Sequence, residues 1–154
     1  MRSTGKRTVW ALVLLLACGG EDPTGTGEVP DVAGDWSAAI VGTLLSTGSA
    51  SVDGVITVTL TQEGPQFTGS WSISGTATLN GSPIELADGG LMSGFVLSSG
   101  SATVNVASGA CPQGMQLNGT GAASELRLQG SFVVRQSCNG VIGTFTGALV
   151  FLRP

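Results

Sequence analysis

Histidine and tyrosine are absent, and the single lysine, Lys6, lies close to the first residue. Without histidine the chain has no usual general base, lacks the commonest zinc ligand and cannot assemble a Ser-His-Asp arrangement. With no lysine beyond Lys6, the rest of the chain has no amine for a Schiff base or a Ser-Lys pair. Cationic side chains are scarce: after residue 17 only Arg127, Arg135 and Arg153 stand against ten acids, a formal charge of −7. Nucleic-acid binding rests on clustered cationic contacts to phosphate, so nucleic acid is not an expected partner. Helical periodicity is missing as well, because from Gly34 onward no stretch sustains apolar residues at three- and four-residue spacing.

Paired carboxylates are the remaining route to hydrolysis, yet the acids sit where water is expected. Asp53 and Asp88 fall in turn motifs, Glu63 and Glu125 at the ends of expected strands, and Glu85 alternates with Ile84 and Leu86. Such positions read as solvated acids, so no enzyme is expected. No cofactor is expected either, since the glycines follow neither the phosphate-loop nor the dinucleotide pattern. Asp88-Gly89-Gly90 offers one carboxylate where calcium takes six to eight oxygens, so no metal site follows.

What is present begins with a leader. Arg2, Lys6 and Arg7 precede an apolar stretch from Val9 to Leu16, and the chain then turns to Gly19, Gly20, Glu21, Asp22 and Pro23. That stretch is shorter than the ~20 apolar residues needed to span a bilayer, and its order is that of an export signal. Leu15-Leu16-Ala17-Cys18 resembles the lipobox of bacterial lipoproteins. The resemblance implies cleavage before Cys18, a diacylglycerol on its thiol and attachment to the lipid bilayer, with the alternative of a secreted protein carrying an incidental cysteine. Gly19 in place of aspartate points, by the enterobacterial sorting rule, to the outer membrane, on either its periplasmic or its outer surface. Residues 1–17 are thus expected as signal peptide and 18–33, with four acids and Pro23, Gly25, Gly27 and Pro30, as a flexible acidic tether. If Cys18 is lipidated, Cys111 and Cys138 remain as a pair, and an oxidising compartment favours a disulfide between them.

Residues 34–154 alternate with period two. Ile56, Val58 and Leu60 interleave with Thr57, Thr59 and Thr61; Ala102, Val104 and Val106 repeat the pattern, as do Leu126, Leu128, Phe132 and Val134. Turn chemistry marks Asp53-Gly54, Glu63-Gly64-Pro65, Asn80-Gly81, Asp88-Gly89-Gly90, Ser99-Gly100 and Asn139-Gly140. An all-β fold follows: a small antiparallel up-and-down barrel of about 8–10 strands, or alternatively a β-sandwich. Gly34-Asp35-Trp36, Gly69-Ser70-Trp71, Gly130-Ser131-Phe132 and Gly143-Thr144-Phe145 place glycine two residues before a ring, while Gly94-Phe95 breaks the spacing by one. Inward glycines let strands bend as a small barrel requires. A hairpin turning at Ser124-Glu125 would set Leu117 opposite Phe132, Met115 opposite Val134 and Cys111 opposite Cys138.

Gly34-Asp35-Trp36 opening the first strand, the later Gly-x-aromatic strands and Arg153 at the chain's end look like a calycin-type barrel, the group containing lipocalins and avidins. The resemblance implies that Arg153 packs across Trp36. Ligand identity and pocket residues do not carry over from it; separately, barrel mouths commonly form concave apolar pockets, so a small apolar ligand is one expectation, with Trp36, Phe67, Trp71, Phe95, Phe132 and Phe145 as lining candidates. The same rings would also fill a solid core, which makes the alternative a structural or interaction protein of the cell envelope with an envelope protein as partner. Interior volume discriminates the two, ~300 Å³ or more favouring a ligand.

Overall fold

The computed structural model describes residues 27–109, 115–137 and 140–154, and within them the chain forms a closed eight-stranded antiparallel barrel. The strands are β1 (Gly34–Thr43), β2 (Ala50–Glu63), β3 (Gln66–Leu79), β4 (Ser82–Val96), β5 (Ser101–Ser108), β6 (Met115–Gly121), β7 (Glu125–Ser137) and β8 (Gly140–Leu152). Each pairs with its neighbour in sequence, and Ser37 opposite Leu152 closes β1 on β8. Cys18, Cys111 and Cys138 lie outside the described residues.

Alternation decides which face is buried. In β2 the residues Ala50, Val52, Ile56, Val58 and Leu60 point inward, and the intervening threonines point out. On the outer face hydroxyls meet across strands: Thr57 and Ser72 oxygens are 2.8 Å apart, and Thr59 donates to Asp35 at 2.7 Å. Asn80-Gly81 forms the β3–β4 turn with φ of 50° and 82°, the left-handed pair that a two-residue hairpin matching strand twist requires.

Two expected turns are instead strand interiors. Asp53-Gly54 lies within β2 and Asp88-Gly89-Gly90 within β4. Gly54 faces Gly75 across the β2–β3 ladder, and a Cβ on Gly54 would stand 2.7 Å from the Ser74 carbonyl oxygen. Here Asp-Gly lets the strand coil tightly around the barrel rather than reverse. The β6–β7 register also differs from expectation. Ala122 and Glu125 exchange backbone hydrogen bonds at 2.8 and 3.3 Å, so the turn is Ala123-Ser124, and Asn118 faces Gln129 rather than Ser131. Moving the turn by one residue shifts the register by two. That keeps every face unchanged, and Leu117, Leu128, Phe132 and Val134 all remain buried.

The domain also takes in residues expected as tether. Val32 is completely buried, and its amide donates to Gln62 Oε1 at 2.7 Å. Gln62 Nε2 in turn donates to the carbonyls of Pro30 and Gly64. These bonds seat residues 30–32 across the end of the barrel where β1 begins and β8 finishes. Residues 27–33 are therefore a plug, not part of a loose linker.

Candidate functional site

The interior is the candidate site, and its two ends differ. At the plugged end Trp36 is 1% exposed, its indole Nε1 donates to the Val32 carbonyl at 2.9 Å, and the Arg153 guanidinium lies 4.7 Å from the ring centroid. Arg153 Nη2 also donates to the Asp31 carbonyl at 2.9 Å. The ring thus has a hydrogen-bonded edge and a cation over one face, and the Arg153 contact is the one expected from the sequence. It holds plug, first strand and chain end together, leaving no open surface for a ligand.

Toward the other end the inward side chains leave a cavity of about 70 Å³. Trp71, Phe132, Phe151, Ile73, Leu86 and Met92 are among its lining residues, with Asp88 and Arg135 also contributing. Trp71 Nε1 donates to the Ala107 carbonyl at 2.9 Å, which fixes the ring in place. Asp88 Oδ1 accepts the Gly89 amide at 2.8 Å. No polar or charged residue is fully buried among the described residues, and Asp88 and Arg135 are the charged side chains that reach the otherwise apolar cavity wall.

The six expected rings do not act together. Trp71 and Phe132 line the cavity; Trp36 and Phe67 are packed at the plugged end. Phe145 tilts against Phe132 with centroids 6.0 Å apart, and its ring edge fills the space beside Gly42 and Gly147. Phe95 is on the outside, 41% exposed, because β4 puts Met92, Gly94 and Val96 inward. Its place in the cavity was an error of one residue, the same offset that sets Gly94-Phe95 apart from the other glycine-ring pairs. Phe151 was missed. It is spaced by two-residue steps from Phe145 and Leu149 on the inward face of β8, and that spacing was the available signal.

A volume near 70 Å³ falls well short of the ~300 Å³ at which small-molecule pockets begin. Larger concavities lie on the outer wall. One of about 440 Å³ runs along Pro65, Phe95 and Leu97, and another of about 320 Å³ adjoins Leu91 and Asn105. No family model, curated protein or solved structure matches the chain.

Proposed function

We propose that this chain is an exported lipoprotein, held to the cell envelope through acylated Cys18, whose filled barrel serves as a non-enzymatic interaction module. The supporting observation is the interior: a core of packed aliphatic and aromatic side chains with about 70 Å³ unfilled. A domain whose inside is occupied by its own side chains meets partners through its surface. That surface is rich in serine and threonine at the outward positions of β2 and β3. Membrane-spanning barrels carry an apolar outer band and a polar lumen, the reverse of this distribution, which favours a water-bathed domain beside the bilayer. The partner in this reading is another envelope protein, and a disulfide between Cys111 and Cys138 belongs to the same oxidising compartment.

Binding of a small apolar ligand keeps one favourable observation, the predominantly apolar wall of the cavity around Trp71 and Phe132. The two readings differ in mass. Native mass spectrometry of the protein purified from its own host is expected to show the chain with its covalent modifications and no retained guest. A lipid or pigment carried at one copy per chain would overturn the filled-barrel reading.

A further inference from the structure

At the plugged end three apolar side chains gather on the outer wall. Pro65 comes from the β2–β3 turn, while Phe95 and Leu97 come from the end of β4 and the turn after it; together they line the groove of about 440 Å³. Phe95 is 41% exposed and Leu97 48%. Gln66, Thr68, Ser93 and Asn105 also line the groove, so Pro65, Phe95 and Leu97 form a small apolar rim on a polar wall, the distribution of an amphipathic interfacial contact rather than of a buried core.

The course of the chain indicates what that surface meets. Gly27 packs against the turn that carries Leu97: a Cβ on Gly27 would stand 3.3 Å from Ser98 Cβ. Only residues 19–26 separate Gly27 from Cys18. A fully extended chain advances about 3.3–3.6 Å per residue, so the leash reaches roughly 30 Å at most. With Cys18 anchored, the turn that carries Leu97 therefore stays within roughly 30 Å of the bilayer, whereas the far end is free to lie further away. The far end, with the β1–β2 connection and the Asn80-Gly81 turn, is roughly 35 Å further along the barrel, from strand rise and the usual barrel tilt.

Charge narrows the kind of lipid. Glu28 and Asp31 belong to the plug and Glu63 borders the β2–β3 turn, whereas the described cations of this end are Arg127, within 3.4 Å of Glu125, and Arg153 on Trp36. The acidic balance opposes an anionic surface, so the contact is carried by apolar side chains on neutral headgroups.

We infer that Pro65, Phe95 and Leu97 form a membrane-contact face that seats the plugged end on a zwitterionic lipid surface and turns the opposite end toward water. This inference rests on the lipid anchor proposed above. The face is a second, non-covalent contact, which fixes orientation where the acyl chains alone give only proximity.

The test uses the full lipidated protein in phosphatidylcholine vesicles whose acyl chains carry bromine near the headgroups. Leu97→Trp and Phe95→Trp report from the face, and Leu45→Trp, at a 72% exposed position of the far end, reports from the opposite side. Two reporters on exposed side chains keep the result readable if one of them disturbs β4. Brominated lipid is expected to reduce the added emission at positions 95 and 97 about twofold, the depth of an interfacial side chain, and to leave that at 45 unchanged. Anionic lipid at low salt is expected to weaken the quenching. Equal quenching at all three positions, or none at 95 and 97, in a sample whose mass shows the acyl chains, would overturn the face and leave the anchor standing. Protein isolated from its own host that carries no acyl chains on Cys18 would overturn the anchor, and the face with it.

Discussion

Trp36→Ala is expected to destabilise the domain by about 3–5 kcal/mol, the usual cost of deleting a buried tryptophan. The size follows from what converges on the ring. Its side chain is 1% exposed, its Nε1 donates to the carbonyl of the buried plug residue Val32, and Arg153 covers one face. Removing the indole leaves a void at the barrel's closed end and strands the Val32 carbonyl, a separate penalty of about 1–3 kcal/mol if water cannot reach it. Single domains are stable by roughly 5–15 kcal/mol, so a large share of the total is at stake. Arg153→Ala should cost only about 0.5–1 kcal/mol, because its guanidinium is on the surface. Denaturant unfolding of both variants and of the double variant measures this, with the Arg153 effect largely absent once Trp36 is gone. A loss below about 1 kcal/mol for Trp36→Ala would show that the plug is not held by the ring.

Gly94→Val is expected to cost about 3 kcal/mol, at the upper end for overpacked cores, and to reduce soluble yield. Gly94 occupies an inward position of β4, and the buried Phe67 ring lies over it. A Cβ there would run into the Thr103 carbonyl oxygen and stand 2.6 Å from Phe67 Cζ. Backbone on one side and a 2% exposed ring on the other leave the new methyl groups no direction in which to relax. One residue along, Phe95→Ala removes a far larger group at an outward position and should change stability by less than about 0.5 kcal/mol. Thermal unfolding of the pair compares the two faces of a single strand. A tolerated Gly94→Val would mean that β4 can shift away from β3 and β5.

Much of this barrel is legible in the sequence because alternation in a strand with one buried face is direct evidence of burial. Ile56, Val58 and Leu60 against Thr57, Thr59 and Thr61 needed no structure to place, nor did the Asn80-Gly81 turn. Asp53-Gly54 and Asp88-Gly89-Gly90 were harder, since the same residues serve a reversal and a tightly coiled strand, and only the long-range ladder with β3 distinguishes the two. Val32 gave no local signal at all. Two valines, Val29 and Val32, among proline, acids and glycine read as linker, and the burial of Val32 depends on Gln62 and Trp36 reaching it from elsewhere.

The candidate site was legible in kind and not in volume. The sequence identified inward rings, but whether eight strands enclose a cavity or a solid core depends on how far those rings fill the space beside glycines. Phe67 over Gly94 and Phe145 beside Gly42 and Gly147 are such fillings. Phe67 with Gly94 and Phe145 with Gly42 are pairs far apart in sequence, and no period-two pattern encodes them. The Trp36–Arg153 contact was the exception, because a family resemblance supplied the long-range pairing that local patterning lacks.

Location, redox state and the membrane-contact face all depend on the chemistry at Cys18. Intact mass of the protein isolated from its own host tests that chemistry directly. The expected mass is that of a chain beginning at Cys18 with a diacylglycerol thioether, with or without a further acyl chain on the new amine, and a cystine between Cys111 and Cys138 lowers it by the mass of the two thiol hydrogens. A chain still carrying residues 1–17, with an unmodified thiol at position 18, would contradict the anchor and everything that follows from it.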